Sequence, residues 1–241
     1  MARSCAARTS ARLRSRTTIK LRSSILSEAA DMLTREELNA ARIIRHGADN
    51  QKRFAAASVG IAGLGGLGSN IAVHLTRLGV GRLVLVDFDV VDVTNLNRQH
   101  YFIRHLGRPK PEALKEQLMD IDPYLTYETH HVRITPDNAC ALFAGCDVVC
   151  EAFDRADQKA MLVESILTGL PGVPLVSGSG MAGDGSANDI RTVRRFGQFY
   201  LSGDGTADIA DGLGLMAPRV AVCAAHEANM VMRLLLGQSE P

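Results

Sequence analysis

Residues 58–78 constrain this chain most: an apolar stretch, Ser58-Val-Gly-Ile-Ala62, runs into Gly63-Leu64-Gly65-Gly66-Leu67-Gly68 and then directly into a segment whose apolar residues recur at helical spacing. That order calls for a buried strand feeding a helix through a tight turn. Glycines let the backbone bend sharply and come close to a ligand, and the helix N-terminus offers unpaired N–H groups and the positive end of its dipole to an anion. A second apolar run, 82–86, ends in Asp87, about 20 residues past the turn, where a carboxylate accepts hydrogen bonds from ribose hydroxyls. The candidate nucleotide-binding residues are therefore Gly63, Gly65, Gly66, Gly68 and Asp87.

The residues beyond Asp87 discriminate between nucleotides. A dinucleotide dehydrogenase needs only the turn, the helix and the acid. This chain adds Asn95-Leu-Asn97-Arg98-Gln99 and then Gly107-Arg108-Pro109-Lys110, bringing two cations near the strand ends. Each charge-assisted contact to a phosphate is worth roughly 1.5–3 kcal/mol, so a polyphosphate is the ligand that gains from Arg98 and Lys110 in a crevice. ATP fits this pattern better than NAD, and an NAD-dependent oxidoreductase is the competing reading from another class. The apolar run at 147–153 reads as a buried parallel strand with Asp154 at its carboxyl edge. One carboxylate beside substrate phosphates suits magnesium, which makes Asp154 the metal candidate.

Strand and helix signals alternate along the chain. Strands are predicted at 58–62, 82–86, 126–134, 147–152 and 174–177, with helices at 67–78, 111–121, 136–143 and 156–167. Such alternation specifies an α/β, Rossmann-like, doubly wound and largely parallel sheet. Residues 190–195 and 198–201 read as a short antiparallel extension, and 217–236 as a final helix that stops at Gly237. Residues 28–55 read as an N-terminal helical arm, 56–178 as the nucleotide-binding core, and 179–241 as the antiparallel strands, crossover loop and closing helix.

Residues 1–27 carry seven basic side chains and no acid. Organelle transit peptides, basic tails and an upstream start codon share this composition; lacking a clean amphipathic period, the stretch is read as a disordered basic extension. Over the whole chain the charges nearly cancel, with 27 Lys and Arg against 26 Asp and Glu and only 5% aromatic residues, which excludes a dedicated nucleic-acid binder with a basic face and stacking platforms. Cys5, Cys140, Cys146, Cys150 and Cys223 form no Cys-x-x-Cys pair, so no zinc site is expected, and unpaired thiols suit a cytoplasmic, reducing location. No apolar run approaches the roughly 20 residues needed to span a bilayer. His74 and His226, among apolar helical neighbours, are expected in the core or an interface, and His130-His131 at an edge or surface.

The ordered motifs GLGGLG, DFD at 87–89, NLNRQ at 95–99, GRPK at 107–110 and FD at 153–154 resemble the adenylating enzymes related to ubiquitin-activating enzymes. Within that superfamily the likeness is to the sulfur-carrier-protein adenylyltransferases of thiamine biosynthesis, the ThiF type, and especially its short form. It extends from about Arg45 to Gly237 and includes RHG at 45–47, NQKR at 50–53, SGSGMAG at 177–183 and GLMAPRVA at 214–221.

The resemblance implies ATP-dependent adenylation of the C-terminal glycine of a small ubiquitin-like carrier ending in Gly-Gly, with release of pyrophosphate. By the same carry-over Asp87 holds the ribose, Asn95, Arg98 and Lys110 contact the nucleotide, and Asp154 binds magnesium. It also implies a homodimer in which an N-terminal arginine reaches the other subunit's triphosphate: Arg45 first, with Arg42 and Arg53 as rivals. Relatives commonly read Thr-Asp-Asn where this chain has Phe153-Asp154-Arg155, and residues 203–214 lack the crossover-loop cysteine of longer relatives. Adenylation is therefore expected without a persulfide on this chain. Carriers of the molybdopterin or cysteine pathways, and a carboxylate on a modified tRNA nucleoside, stand as alternative acyl substrates.

Overall fold

The computed structural model describes residues 33–207 and 212–241. By compactness the chain divides into residues 1–45 and 46–241. The stretch expected to be a basic extension lies outside the described residues. Helix α1, Arg35–His46, opens on a reciprocal cap: Glu37 N–H donates to Thr34 Oγ1 (3.2 Å) and Thr34 N–H to Glu37 Oε2 (2.8 Å). The expected helical arm is not one helix. It breaks at Gly47, whose φ of 87° lies outside helical space, and resumes as α2, Ala48–Ala56.

The larger unit holds β1 (Ser58–Ala62), α3 (Gly66–Leu78), β2 (Arg82–Asp87), α4 (Lys110–Ile121), β3 (Thr126–His131), α5 (Pro136–Leu142), β4 (Val148–Glu151), α6 (Ala156–Gly169), β5 (Leu175–Gly178), β6 (Arg191–Phe196), β7 (Phe199–Gly203) and α7 (Ala217–Leu235). These seven strands form one sheet in the order β3-β2-β1-β4-β5-β7-β6. All pairings are parallel except β6 with β7. The expected α/β Rossmann-like fold is thus present, and the antiparallel pair is part of the main sheet because β7 runs parallel to β5.

Alternation along the strands builds two cores. Val59, Ile61, Leu83, Leu85, Val148 and Cys150 face α3, α4 and α7, while Val84, Val86, Val149 and Leu175 face α5 and α6. Cys146 and Cys150 are buried in these layers as apolar residues. Strand β3 stops at His131 rather than 134, because its partner β2 ends at Asp87 and the register Asp87↔His131 exhausts the ladder. Residues 132–134 are thereby released to the carboxyl end of the sheet. His130 pairs with Glu128 at 2.7 Å and His131 Nε2 donates to the Phe88 carbonyl at 2.8 Å. His226 is half-buried and 3.3 Å from Thr192 Oγ1, whereas His74 is exposed on α3, which leaves an interface of the two expected settings. Arg219, at the start of α7, ties down the crossover segment by donating to the Ala182 and Ser186 carbonyls and pairing with Asp204. Among the described residues no helix is long and apolar enough to cross a membrane.

The chain reverses its direction of travel across the sheet between β1 and β4, which opens a crevice at their carboxyl ends. Helix α3 reaches that crevice only because Gly68 packs directly on the Gly63 carbonyl; a Cβ there would overlap the backbone oxygen. Gly68→Ala is therefore expected to cost more than about 3 kcal/mol, read as a lowered denaturation midpoint.

Candidate functional site

A crevice of about 370 Å³ lies at the switch point, within the range of small-molecule sites. Gly63, Gly65, Gly66, Asp87, Arg98, Lys110 and Asp154 all line it. Gly63 takes φ 89°, and α3 begins after Gly65 with no side-chain cap, so its first N–H groups are left for a ligand. The turn is braced from behind by Tyr101, whose hydroxyl donates to the Leu64 carbonyl at 2.8 Å.

Asp87 is buried at the end of β2. It accepts the Leu64 N–H on Oδ2 (2.6 Å) and the Asp89 N–H on Oδ1 (2.8 Å). Burial raises its pKa, opposed by nearby Lys110 and by these two N–H donors. The carboxylate is locked in direction while keeping lone pairs for hydroxyl donors.

Lys110 opens α4, only 5% exposed, with Nζ 3.0 Å from Asp89 Oδ2 and its own N–H bonded to the Asp89 carbonyl. Arg98 has no carboxylate partner among the described residues. Its guanidinium donates to the Thr94 carbonyl (3.3 Å) and Asn97 Oδ1 (2.8 Å), and its stem lies over Gly66. Asp154, exposed just past β4, accepts no hydrogen bond among the described residues and stands free for a ligand.

Two candidates lie outside the lining. Asn95 does not line the crevice: its Oδ1 accepts the Asp92 N–H at 3.0 Å and closes the cap of a short 3₁₀ turn, Val93–Asn95. Gly68 contributes close packing and stays out of the lining. Arg42 and Arg45 lie on α1, in the N-terminal unit. Arg53, on α2, donates to the Leu236 carbonyl at 2.9 Å and so braces the end of α7.

Other residues enter that the motifs do not mark as ligand-binding. Gln99 is buried on the crevice wall, its Oε1 enclosed and unpartnered among the described residues. Arg133, in the segment released by the early end of β3, stacks on Phe88 at 3.7 Å and forms a flat shelf. Lys159 comes from α6 with its ammonium on Glu151. Only Gln99 stands inside a recognised run; nothing local marks Arg133 or Lys159. Five cationic side chains, Arg98, Lys110, Arg133, Arg155 and Lys159, line the crevice against the carboxylates of Asp87, Asp89 and Asp154. Lys159 and Arg155 are answered by Glu151 and Asp157 just outside the lining, which leaves Arg98, Lys110 and Arg133 facing Asp87, Asp89 and Asp154.

Among the described residues no three His, Cys, Asp or Glu side chains gather to cage a metal. A lone, uncommitted oxygen donor fits magnesium completed by ligand phosphates, and Asp154 is that donor.

Glu227, on α7, abuts the crevice floor: a Cβ on Gly178 would lie 2.6 Å from its Oε1. It is fully buried with both oxygens unpartnered among the described residues. Burial pushes its carboxyl well above the usual range, with Lys159 pulling it down and Glu151 pushing it further up. The folded chain therefore keeps a proton that the unfolded chain loses above the ordinary value of 4.5, and stability falls as pH rises from there. Glu227→Gln should be more stable than the wild type at neutral pH. In urea titrations the gap should widen from pH 4.5 upward and vanish below it.

Residues 38–241 match the model of the ThiF family. The chain is 31% identical over 208 residues to the molybdopterin-synthase adenylyltransferase of Salmonella typhimurium, covering 83% of this chain and 82% of that protein. It is 35% identical over 170 residues to the probable adenylyltransferase/sulfurtransferase MoeZ of Mycobacterium tuberculosis, covering 68% of this chain but only 42% of that protein. Its fold matches crystal structures of the E. coli tRNA N6-threonylcarbamoyladenosine dehydratase TcdA. The ATP complex superposes with a TM-score of 0.75 at 22% identity, over 85% of this chain and 97% of that one.

Proposed function

This chain belongs to the ThiF family, and from that premise we propose that it adenylates the C-terminal glycine of a small ubiquitin-like sulfur carrier, using ATP and releasing pyrophosphate. The observation that carries the reading is the gathering of the glycine turn, Asp87, Arg98, Lys110 and Asp154 around one crevice. Relatives named as adenylyltransferases support the reaction class. The short-form motifs, from GLGGLG to GLMAPRVA, favour the thiamine carrier as the first candidate substrate.

The chemistry is limited by charge. A carboxylate must approach the α-phosphorus of a polyanion; a new carboxyl-oxygen to phosphorus bond forms while the bond to the bridging oxygen of pyrophosphate breaks. No proton has to be removed, so no general base is needed. The N–H groups at the start of α3 and the Arg98 guanidinium face phosphate oxygens. Lys110, steadied by Asp89, adds a buried positive charge, and Asp87 fixes the ribose. Asp154 would hold a magnesium ion, which when bound supplies charge neutralisation on the phosphates. In a homodimer, Arg45 of the partner subunit would add a further cation from the N-terminal unit.

Incubation with ATP, magnesium and diglycine-ended carriers is expected to give a carrier heavier by one AMP in intact mass spectra. Lys110→Ala and Asp154→Ala should each lower the rate of adduct formation by roughly 10²-fold or more while the melting temperature stays near that of the wild type. ATP binding without an adduct on any carrier, coupled with turnover of a tRNA bearing a carboxylated adenosine, would replace the carrier with the nucleoside as substrate.

A further inference from the structure

Beneath the crevice lies an ion pair that none of the roles above uses. Glu151, the last residue of β4, has no exposed surface. Its Oε1 accepts the Phe153 N–H at 2.7 Å, and its Oε2 accepts the Ser177 hydroxyl at 2.5 Å. Lys159 Nζ donates to both oxygens, at 3.2 and 2.9 Å, and gives its third donor to the Gly178 carbonyl at 2.8 Å. All three ammonium protons and both carboxylate oxygens are thus committed. The partners lead into two separate turns: Phe153 into Asp154 past the end of β4, and Ser177-Gly178, the last residues of β5, into Ser179 and Gly180. Both turns line the crevice.

A second constraint acts from the opposite side. A Cβ at Gly178 would lie 2.5 Å from Leu67 Cδ1 and 2.6 Å from Glu227 Oε1, so the β5 turn is walled in by α3 and α7. Lys159 pulls the turn toward β4, and the wall blocks its retreat. Buried pairs of this kind are a poor source of stability, since apolar replacements are often neutral or better; fixing one geometry is their better-attested use.

We propose that Lys159, through Glu151, is a positioning residue that holds the Asp154 turn and the Ser179-Gly180 turn in register, so that the incoming carboxylate meets the nucleotide in line. This rests on the adenylation reading for its catalytic consequence but not for its structural one. Among the described residues Lys159 makes no contact with the glycine turn, Asp87, Arg98 or Lys110; it reaches only the two turns at the ends of β4 and β5.

The test compares the wild type with Lys159→Met, and with Lys159→Gln should the Met variant fail to fold. Three readings are taken: ATP affinity, kcat and KM for carrier adenylation, and amide hydrogen exchange at Phe153 and Ser179. The expected result is ATP affinity, read without magnesium, within about twofold of the wild type, kcat lower by roughly 10²-fold, and faster exchange at both amides together. Lys159→Arg should recover most of kcat. A fall in ATP affinity matching the fall in kcat would overturn the proposal, as would unchanged exchange or loosening of one turn without the other. If the wild type adenylates no carrier, the functional reading fails, while the exchange measurements still decide whether the two turns are clamped.

Discussion

The contact between Gly68 and the Gly63 carbonyl sets the distance between α3 and β1, and the rest of the site is arranged around it. With that distance fixed, the open N-terminus of α3 meets the end of β1 at the point where the sheet reverses its winding. Asp87 then lies across from the turn because β2 pairs in register with β1, Ala62 opposite Val86. Its Oδ2 binds the Leu64 N–H, so the acid and the turn position each other. An open helix N-terminus and a fixed carboxylate thus face one crevice through one close approach of backbone to backbone.

The electrostatics are graded. Lys110 and Lys159 are held against carboxylates, Arg133 on an aromatic ring, and Arg98 only by neutral oxygens. Asp89, paired with Lys110, has a half-exposed side chain, so much of that charge remains available to a ligand. Glu151 is fully enclosed, so Lys159 is committed inward. The same residue type is thus paired with a half-exposed carboxylate at one wall and with a fully enclosed one at the other.

Much of this is legible in the amino-acid order because local rules apply. Strand β1 is a short apolar run bounded by a glycine turn, and its limits agree with expectation to the residue. Helix α7 shows its apolar stripe through Val220, Ala224 and Met230, all buried. What periodicity does not carry has several causes. The end of β3 depends on where β2 stops, and the break at Gly47 depends on a backbone angle that no periodicity reveals. Asn95 sits in a binding-type motif yet caps its own turn. Glu151 reads as one more member of an apolar strand, and only the fold brings Lys159, Ser177 and Phe153 around it. Most of the motif residues line the crevice; the residues that hold them in place are spread along the chain.

The outer border of the sheet bears on how the molecule behaves in a crowd. The sheet closes at β6, an outermost strand with Val193 and Phe196 exposed, the kind of border that invites another chain to add itself. Two devices blunt it: the ladder slips between Arg194 and Phe196, and Arg191, Arg194 and Arg195 stud the border with positive charge. A neighbouring copy would meet a kinked, self-repelling margin, which guards a chain that keeps this much apolar strand from edge-to-edge aggregation.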